Sequence, residues 1–319
     1  MRLVLVIILL VNVLFGCSEQ DRILSGKRVD PGSSFGFNDQ DKSSLAKDNR
    51  IELPPIKSIN QWTVISSAIS KDSPNLMLGE NPSEIWSVSI GKGDSKKKRL
   101  VTDPIFYQQT IFTLDANSTA SAFDTKGKLL WRKDLTPPGE KSGEIFGGGF
   151  AAGQDQLFVT LGYGFLLSLD PLTGEKNWSQ RLSSAGNNTP IFKDGIVYLI
   201  SGDSNAWAID AENGRIRWKV DGIGNETNLI SNNSPAVSGK YALFGFGNGE
   251  IYATFKKGGY VLWSSSLSGR GDSRVLSAID DIVASPVIVG RNAYAADGSG
   301  KVVSLKIENG ERNWTAPFG

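Results

Sequence analysis

Asp170-Pro-Leu-Thr-Gly174-Glu-Lys-Asn-Trp178 is followed 40 residues on by Asp210-Ala-Glu-Asn-Gly214-Arg-Ile-Arg-Trp218. The two stretches share an Asp, a Gly and a Trp in one register and little else. Each is preceded by an apolar run ending in a small residue, Ser168-Leu in one and Ala208-Ile in the other. An Asp side chain can bond the backbone of a turn, and Gly supplies the positive φ that a tight connection needs. The pattern therefore reads as the hairpin between two strands, with the tryptophan on the second.

Three further copies lie outward from this pair. They are Ala122-Phe-Asp124-Thr-Lys-Gly127-Lys-Leu-Leu-Trp131, Ala253-Thr-Phe255-Lys-Lys-Gly-Gly259-Tyr-Val-Leu-Trp263 and Ser304-Leu-Lys306-Ile-Glu-Asn-Gly310-Glu-Arg-Asn-Trp314. The first is one residue shorter between Asp124 and Gly127. With Trp86 included, the tryptophans fall at 86, 131, 178, 218, 263 and 314, at separations of 45, 47, 40, 45 and 51, while Trp62 and Trp207 lie outside the register. Upstream of a hairpin stands a Pro-led apolar stretch such as Ser234-Pro235-Ala-Val or Ser285-Pro286-Val-Ile-Val, then a second strand such as Ala242-Leu-Phe-Gly-Phe. Four short strands per unit at this period predict an all-β propeller built of four-stranded antiparallel blades. One indole at the same place in every unit fits packing between neighbouring blades.

Composition narrows the chemistry. The 319 residues carry a net charge of +1, with Lys+Arg at 34 and Asp+Glu at 33, so no electrostatic footprint for nucleic acid is present. His is 0, which removes the commonest general acid/base and metal ligand, and Cys is 1, which removes an internal disulfide or a thiolate cluster. Asp124, Asp170 and Asp210 read as turn formers. No catalytic, cofactor-binding or metal-binding residue is assigned. Arg270-Gly271-Asp272 and Lys96-Lys97-Lys98-Arg99 read as loop sequence, and Gly147-Gly148-Gly149, with no helix after it, does not read as a phosphate cradle.

The N-terminus reads as an address. An apolar run over 3–15 follows Arg2 and stops at Leu14-Phe15-Gly16-Cys17. It is short for a membrane span, which takes roughly 20 residues, and right for a secretory signal. The four residues resemble a bacterial lipobox, although Phe15 is large for its position. The resemblance implies a signal peptide over 1–16, a lipid on Cys17, and, with Ser18 next, an outer-membrane destination. Residues 17–58, rich in Ser, Asp and Gly and ending near Pro54-Pro55, read as the lipidated start and a flexible tether. The propeller is expected over 59–319.

The Asp-x-x-x-Gly-x-x-x-Trp repeat with its Pro-led strand resembles the pyrroloquinoline-quinone-like propeller repeat. Together with the lipobox it resembles the BamB family of outer-membrane assembly lipoproteins, with Glu84-Ile-Trp86-Ser-Val-Ser-Ile-Gly91 similar to the strand that opens that family's ring. The resemblance implies about eight blades, of which five full units are visible. It also implies a non-enzymatic scaffold on the periplasmic face of the outer membrane. Its partners would be the barrel-forming, BamA-like subunit and unfolded outer-membrane proteins, with no cofactor. An outer-type strand at Trp86 with no inner strands before it leads to the expectation of an incomplete ring, truncated at its C-terminus or left as an open arc.

Ser264 to Ser285 is the longest connection between units, and its position resembles the loop with which the family contacts the barrel subunit. Arg274, Val275, Leu276, Ile279, Asp280 and Asp281 are its candidate partner-binding residues. A quinoprotein dehydrogenase and a cell-envelope saccharide-binding propeller are the alternative readings.

Overall fold

The computed structural model describes residues 53, 55–63, 75–77, 79, 81–186, 188–223, 233–267, 282 and 284–317. The described residues are all-β and contain no helix. A two-stranded parallel pairing of β1 (Ile56–Lys57) with β2 (Asn75–Leu76) comes first, lying partly inside the stretch read from sequence as tether. Five four-stranded antiparallel sheets follow. Blade 1 is β3 (Ile105–Tyr107), β4 (Thr110–Leu114), β5 (Thr119–Asp124) and β6 (Leu129–Asp134). Blade 2 is β7 (Gly148–Gly153), β8 (Gln156–Leu161), β9 (Phe165–Leu169) and β10 (Lys176–Arg181). Blade 3 is β11 (Ile191–Lys193), β12 (Ile196–Ile200), β13 (Asn205–Asp210) and β14 (Ile216–Asp221). Blade 4 is β15 (Ala236–Ser238), β16 (Tyr241–Gly245), β17 (Glu250–Phe255) and β18 (Val261–Ser266). Blade 5 is β19 (Val287–Val289), β20 (Asn292–Ala296), β21 (Lys301–Lys306) and β22 (Arg312–Pro317).

Strand order within each blade is sequential, and the first strands of successive blades are neighbours, β3 to β7, β7 to β11, β11 to β15 and β15 to β19. This is a β-propeller architecture. The burial pattern follows position within the blade. Middle strands are closed on both faces, as in β12 with all five residues buried. The outer strands of blades 1, 3 and 4 bury only their tryptophan, as in β14, where Trp218 is buried and Ile216 and Arg217 are exposed. The apolar clusters lie between blades rather than inside them. One joins Ile105, Phe112 and Trp131 of blade 1 to Leu157, Val159 and Leu167 of blade 2.

One expectation is corrected. Glu84–Gly91 forms no strand, and no ladder pairing is present from 81 to 104. A strand needs a neighbour whose N–H and C=O groups answer its own, and no inner strand lies beside this segment among the described residues. It is held instead by discrete bonds: the amide of Lys92 donates to Asp115 Oδ2 at 2.9 Å, and Arg132 Nη2 donates to the carbonyl of Ser89 at 3.3 Å.

Candidate interaction site

The hairpin between the third and fourth strands is the contact device of each blade. Gly174, Gly214, Gly259 and Gly310 have φ between 71° and 73°, and Gly127 has 79°. A Cβ on Gly214 would lie 2.7 Å from the Trp178 ring, and one on Gly310 would lie 2.6 Å from Trp263. Positive φ and lack of space both exclude a side chain here. Each indole therefore lies on the turn glycine of the next blade: Trp86 on Gly127, Trp131 on Gly174, Trp178 on Gly214, Trp218 on Gly259 and Trp263 on Gly310. The indole N–H donates into the same turn. Its acceptors are the carbonyls of Thr125, Pro171, Ala211, Lys256 and Ile307, at 2.9, 2.9, 3.0, 3.0 and 2.8 Å. Five interfaces thus repeat one ring-on-glycine contact and one hydrogen bond.

The turn residue itself varies. Asp210 Oδ1 accepts from the amides of Glu212 and Asn213, and Arg217 Nε donates to its Oδ2 at 3.0 Å. Burial opposes ionisation of Asp210, yet the Arg217 guanidinium and the two amides outweigh it and hold the carboxyl below the usual range. In blade 5 the position is Lys306, which instead pairs with Glu311 at 2.7 Å.

Trp314 completes the pattern on β22 without a following turn among the described residues, and the residue is 44% exposed against 8% for Trp263.

A cavity of about 320 Å³ opens between blades 1 and 2. Leu161, Leu167 and Leu169 form its buried floor, and Leu135 on the chain leaving β6 and Phe165 at the start of β9 flank it. At the mouth Lys133 of β6 pairs with Glu175 at 2.5 Å, and Ser179 of β10 is exposed. Reasoning from the sequence did not find this cavity. Its signal lies three residues before each turn residue, where the units read Ser121, Leu167, Trp207, Tyr252 and Val303.

Arg274, Val275, Leu276, Ile279, Asp280 and Asp281 lie outside the described residues, as does Cys17. A quinone-bound metal requires a set of converging carboxylate and other hard donors. No group of three or more His, Cys, Asp or Glu able to hold an ion occurs among the described residues. The buried Asp115 accepts from the amides of Lys92, Asn117 and Thr119; Asp297 Oδ1 accepts from those of Ser299 and Lys301, and its Oδ2 stands 3.8 Å from the Lys301 ammonium. These residues do not fit such a group.

The family model described as outer membrane protein assembly factor BamB matches residues 82–319. The chain belongs to the BamB family. The outer membrane protein assembly factor BamB of Yersinia pestis is 22% identical over 244 residues, an alignment covering 75% of this chain and 62% of the relative. The chain thus spans about three fifths of that BamB's length. BamB from Moraxella catarrhalis superposes with a TM-score of 0.55 at 18% identity, covering 70% of this chain and 66% of that one. A europium-containing methanol dehydrogenase gives the same TM-score at 15% identity, covering 67% of this chain and 50% of the enzyme. At these identities the two solved structures speak for the propeller fold, and the BamB family model carries the family.

Proposed function

We propose that this chain is a non-enzymatic, lipid-anchored scaffold for assembly of outer-membrane β-barrel proteins. The observation that carries the reading is the BamB family match across the whole run of blades. In this reading residues 1–16 are a signal peptide, Cys17 carries the lipid, 17–58 tether the ring, and 59–319 form the propeller on the periplasmic face of the outer membrane. The barrel-forming subunit binds through the connection between blades 4 and 5, with Arg274, Val275, Leu276, Ile279, Asp280 and Asp281 as contacts, and unfolded barrel proteins are its clients. Exposed outer strands offer N–H and C=O groups for strand addition.

The test is affinity capture of the membrane-extracted protein from its native host, with co-purifying proteins identified by mass spectrometry. Recovery of a barrel-forming outer-membrane protein and companion lipoproteins is expected, and it is lost when Arg274 is charge-reversed together with Leu276→Asp. Absence of such partners, with quinone-dependent dye reduction by the purified chain, overturns the reading in favour of an enzyme. Capture on cell-wall saccharide alone overturns it in favour of a wall-binding propeller. Cys17→Ser is expected to abolish acyl labelling and membrane retention.

A further inference from the structure

We propose that the cavity between blades 1 and 2 is a socket for one aromatic side chain, phenylalanine or tyrosine, carried by an extended segment of another polypeptide. Neighbouring blades fill the same position from within. At the third residue before the turn, blade 3 places Trp207, whose cross-strand partner on β14 is Lys219. Trp207 is 4% exposed, its indole N–H donates to Ser201 Oγ at 2.8 Å, and the Lys219 ammonium stands 5.1 Å from its ring. Blade 4 places Tyr252 there, edge-on to Phe246 at 5.0 Å. In blade 1 the pair is Ser121 and Arg132, and the guanidinium fills the space with its Nε donating to Ser121 Oγ at 3.0 Å.

Blade 2 has Leu167 opposite Ser179. Neither reaches as far as an indole with a lysine above it, and the unfilled space is the cavity. Two blades of this chain fill that space with an aromatic ring of their own. The complement of the open one is a ring from elsewhere. Its volume of about 320 Å³ lies at the small end of ligand pockets, roughly 300–1,000 Å³, enough for a side chain rather than a large cofactor.

The chemistry of the socket narrows the ring. Leu161 occupies the position that Ser201 holds in blade 3, so the floor has no hydroxyl to accept an indole N–H. Phenyl and phenol rings leave no donor unpaired against the three leucines, and a phenol hydroxyl can stay at the mouth near Ser179 and the Lys133–Glu175 pair. That mouth lies beside the exposed outer strand β10, where an extended segment has room to run. The proposal rests on the cavity and not on the assembly role, so either can fail alone.

The experiment titrates the purified chain, methyl-labelled at leucine, with a short Thr/Ser peptide carrying one central phenylalanine. The matched peptide with alanine at the centre is the control. Saturable shifts of the Leu161, Leu167 and Leu169 methyl signals with the phenylalanine peptide alone are expected. Leu167→Phe fills the socket and is expected to weaken binding at least tenfold. Ser179→Lys, an exposed change that leaves the core intact, is expected to do the same by laying an ammonium across the mouth as Lys219 does in blade 3. Equal response to the alanine peptide, or undiminished binding in both variants, overturns the proposal whatever the native host capture returns.

Discussion

Trp263 and Trp314 occupy the same place in successive blades and live in different surroundings. Each meets an aromatic or aliphatic surface of its own blade; for Trp314 this is Tyr294, with ring centroids 6.1 Å apart. Among the described residues only Trp263 has the second half of its environment, the Gly310 turn and the carbonyl of Ile307. The motif is therefore half an interface. Conserving the tryptophan within the chain is not what buries it; the glycine turn of the next blade does. Since each repeat touches only its neighbours, the stability held at each boundary is read by changing one side at a time.

The largest effect is expected at the closed boundary. Trp263→Ala removes a buried indole and leaves a cavity between blades 4 and 5, which costs about 3–5 kcal/mol. Trp314→Ala removes a half-exposed one and costs less than about 1 kcal/mol, in the range of surface substitutions. Denaturant midpoints for the two variants make the comparison, and equal losses would break it.

Glycine substitutions sharpen it from the other side. Gly214→Ala meets both a φ of 73° and a Cβ at 2.7 Å from Trp178, and together these cost about 2–4 kcal/mol. Gly290 also has a positive φ, 60°, but a Cβ there would meet nothing within 4 Å. Gly290→Ala should cost only the backbone term, about 1–2 kcal/mol. A thermal-unfolding series in which the two variants shift equally would mean that the ring-on-glycine contact adds nothing.

The propeller was legible because it depends on one-dimensional features. A 40–51-residue period, an Asp or its substitute, a Gly and a Trp fix a hairpin wherever they occur. The partner of each indole was less legible, since the turn glycine it covers lies 36 to 47 residues away from the ring and belongs to the next blade. At Glu84–Gly91 the sequence shows that no inner strands come before it but not the consequence, that a segment with the right residues and no neighbour among the described residues forms no ladder. The socket was hidden for a different reason. Trp207 looks like a stray tryptophan until the units are aligned on their turn residues, when it becomes the filled counterpart of Leu167.

The smallest effect separates the two versions of the turn. In blade 3 the turn carboxylate Asp210 has a lowered pKa, because Arg217 and the amides of Glu212 and Asn213 outweigh the opposing effect of burial. A carboxyl whose folded pKa is depressed contributes stability above its unfolded value, and that contribution is lost as pH falls through the folded one. In blade 5 the turn residue is Lys306, so the ionised carboxylate is supplied from across the hairpin by Glu311. Asp210→Asn keeps the side-chain oxygen that the amides use and removes the charge that Arg217 meets. It should therefore lower stability at neutral pH by less than about 1 kcal/mol, as for other pairs near the surface. The deficit should shrink as the pH is taken below the ordinary aspartate range, where the parent loses the same contribution. A deficit that stays constant from neutral to acid pH would mean that Asp210 acts in the turn only through geometry, and that blades 3 and 5 differ in sequence there without differing in physics.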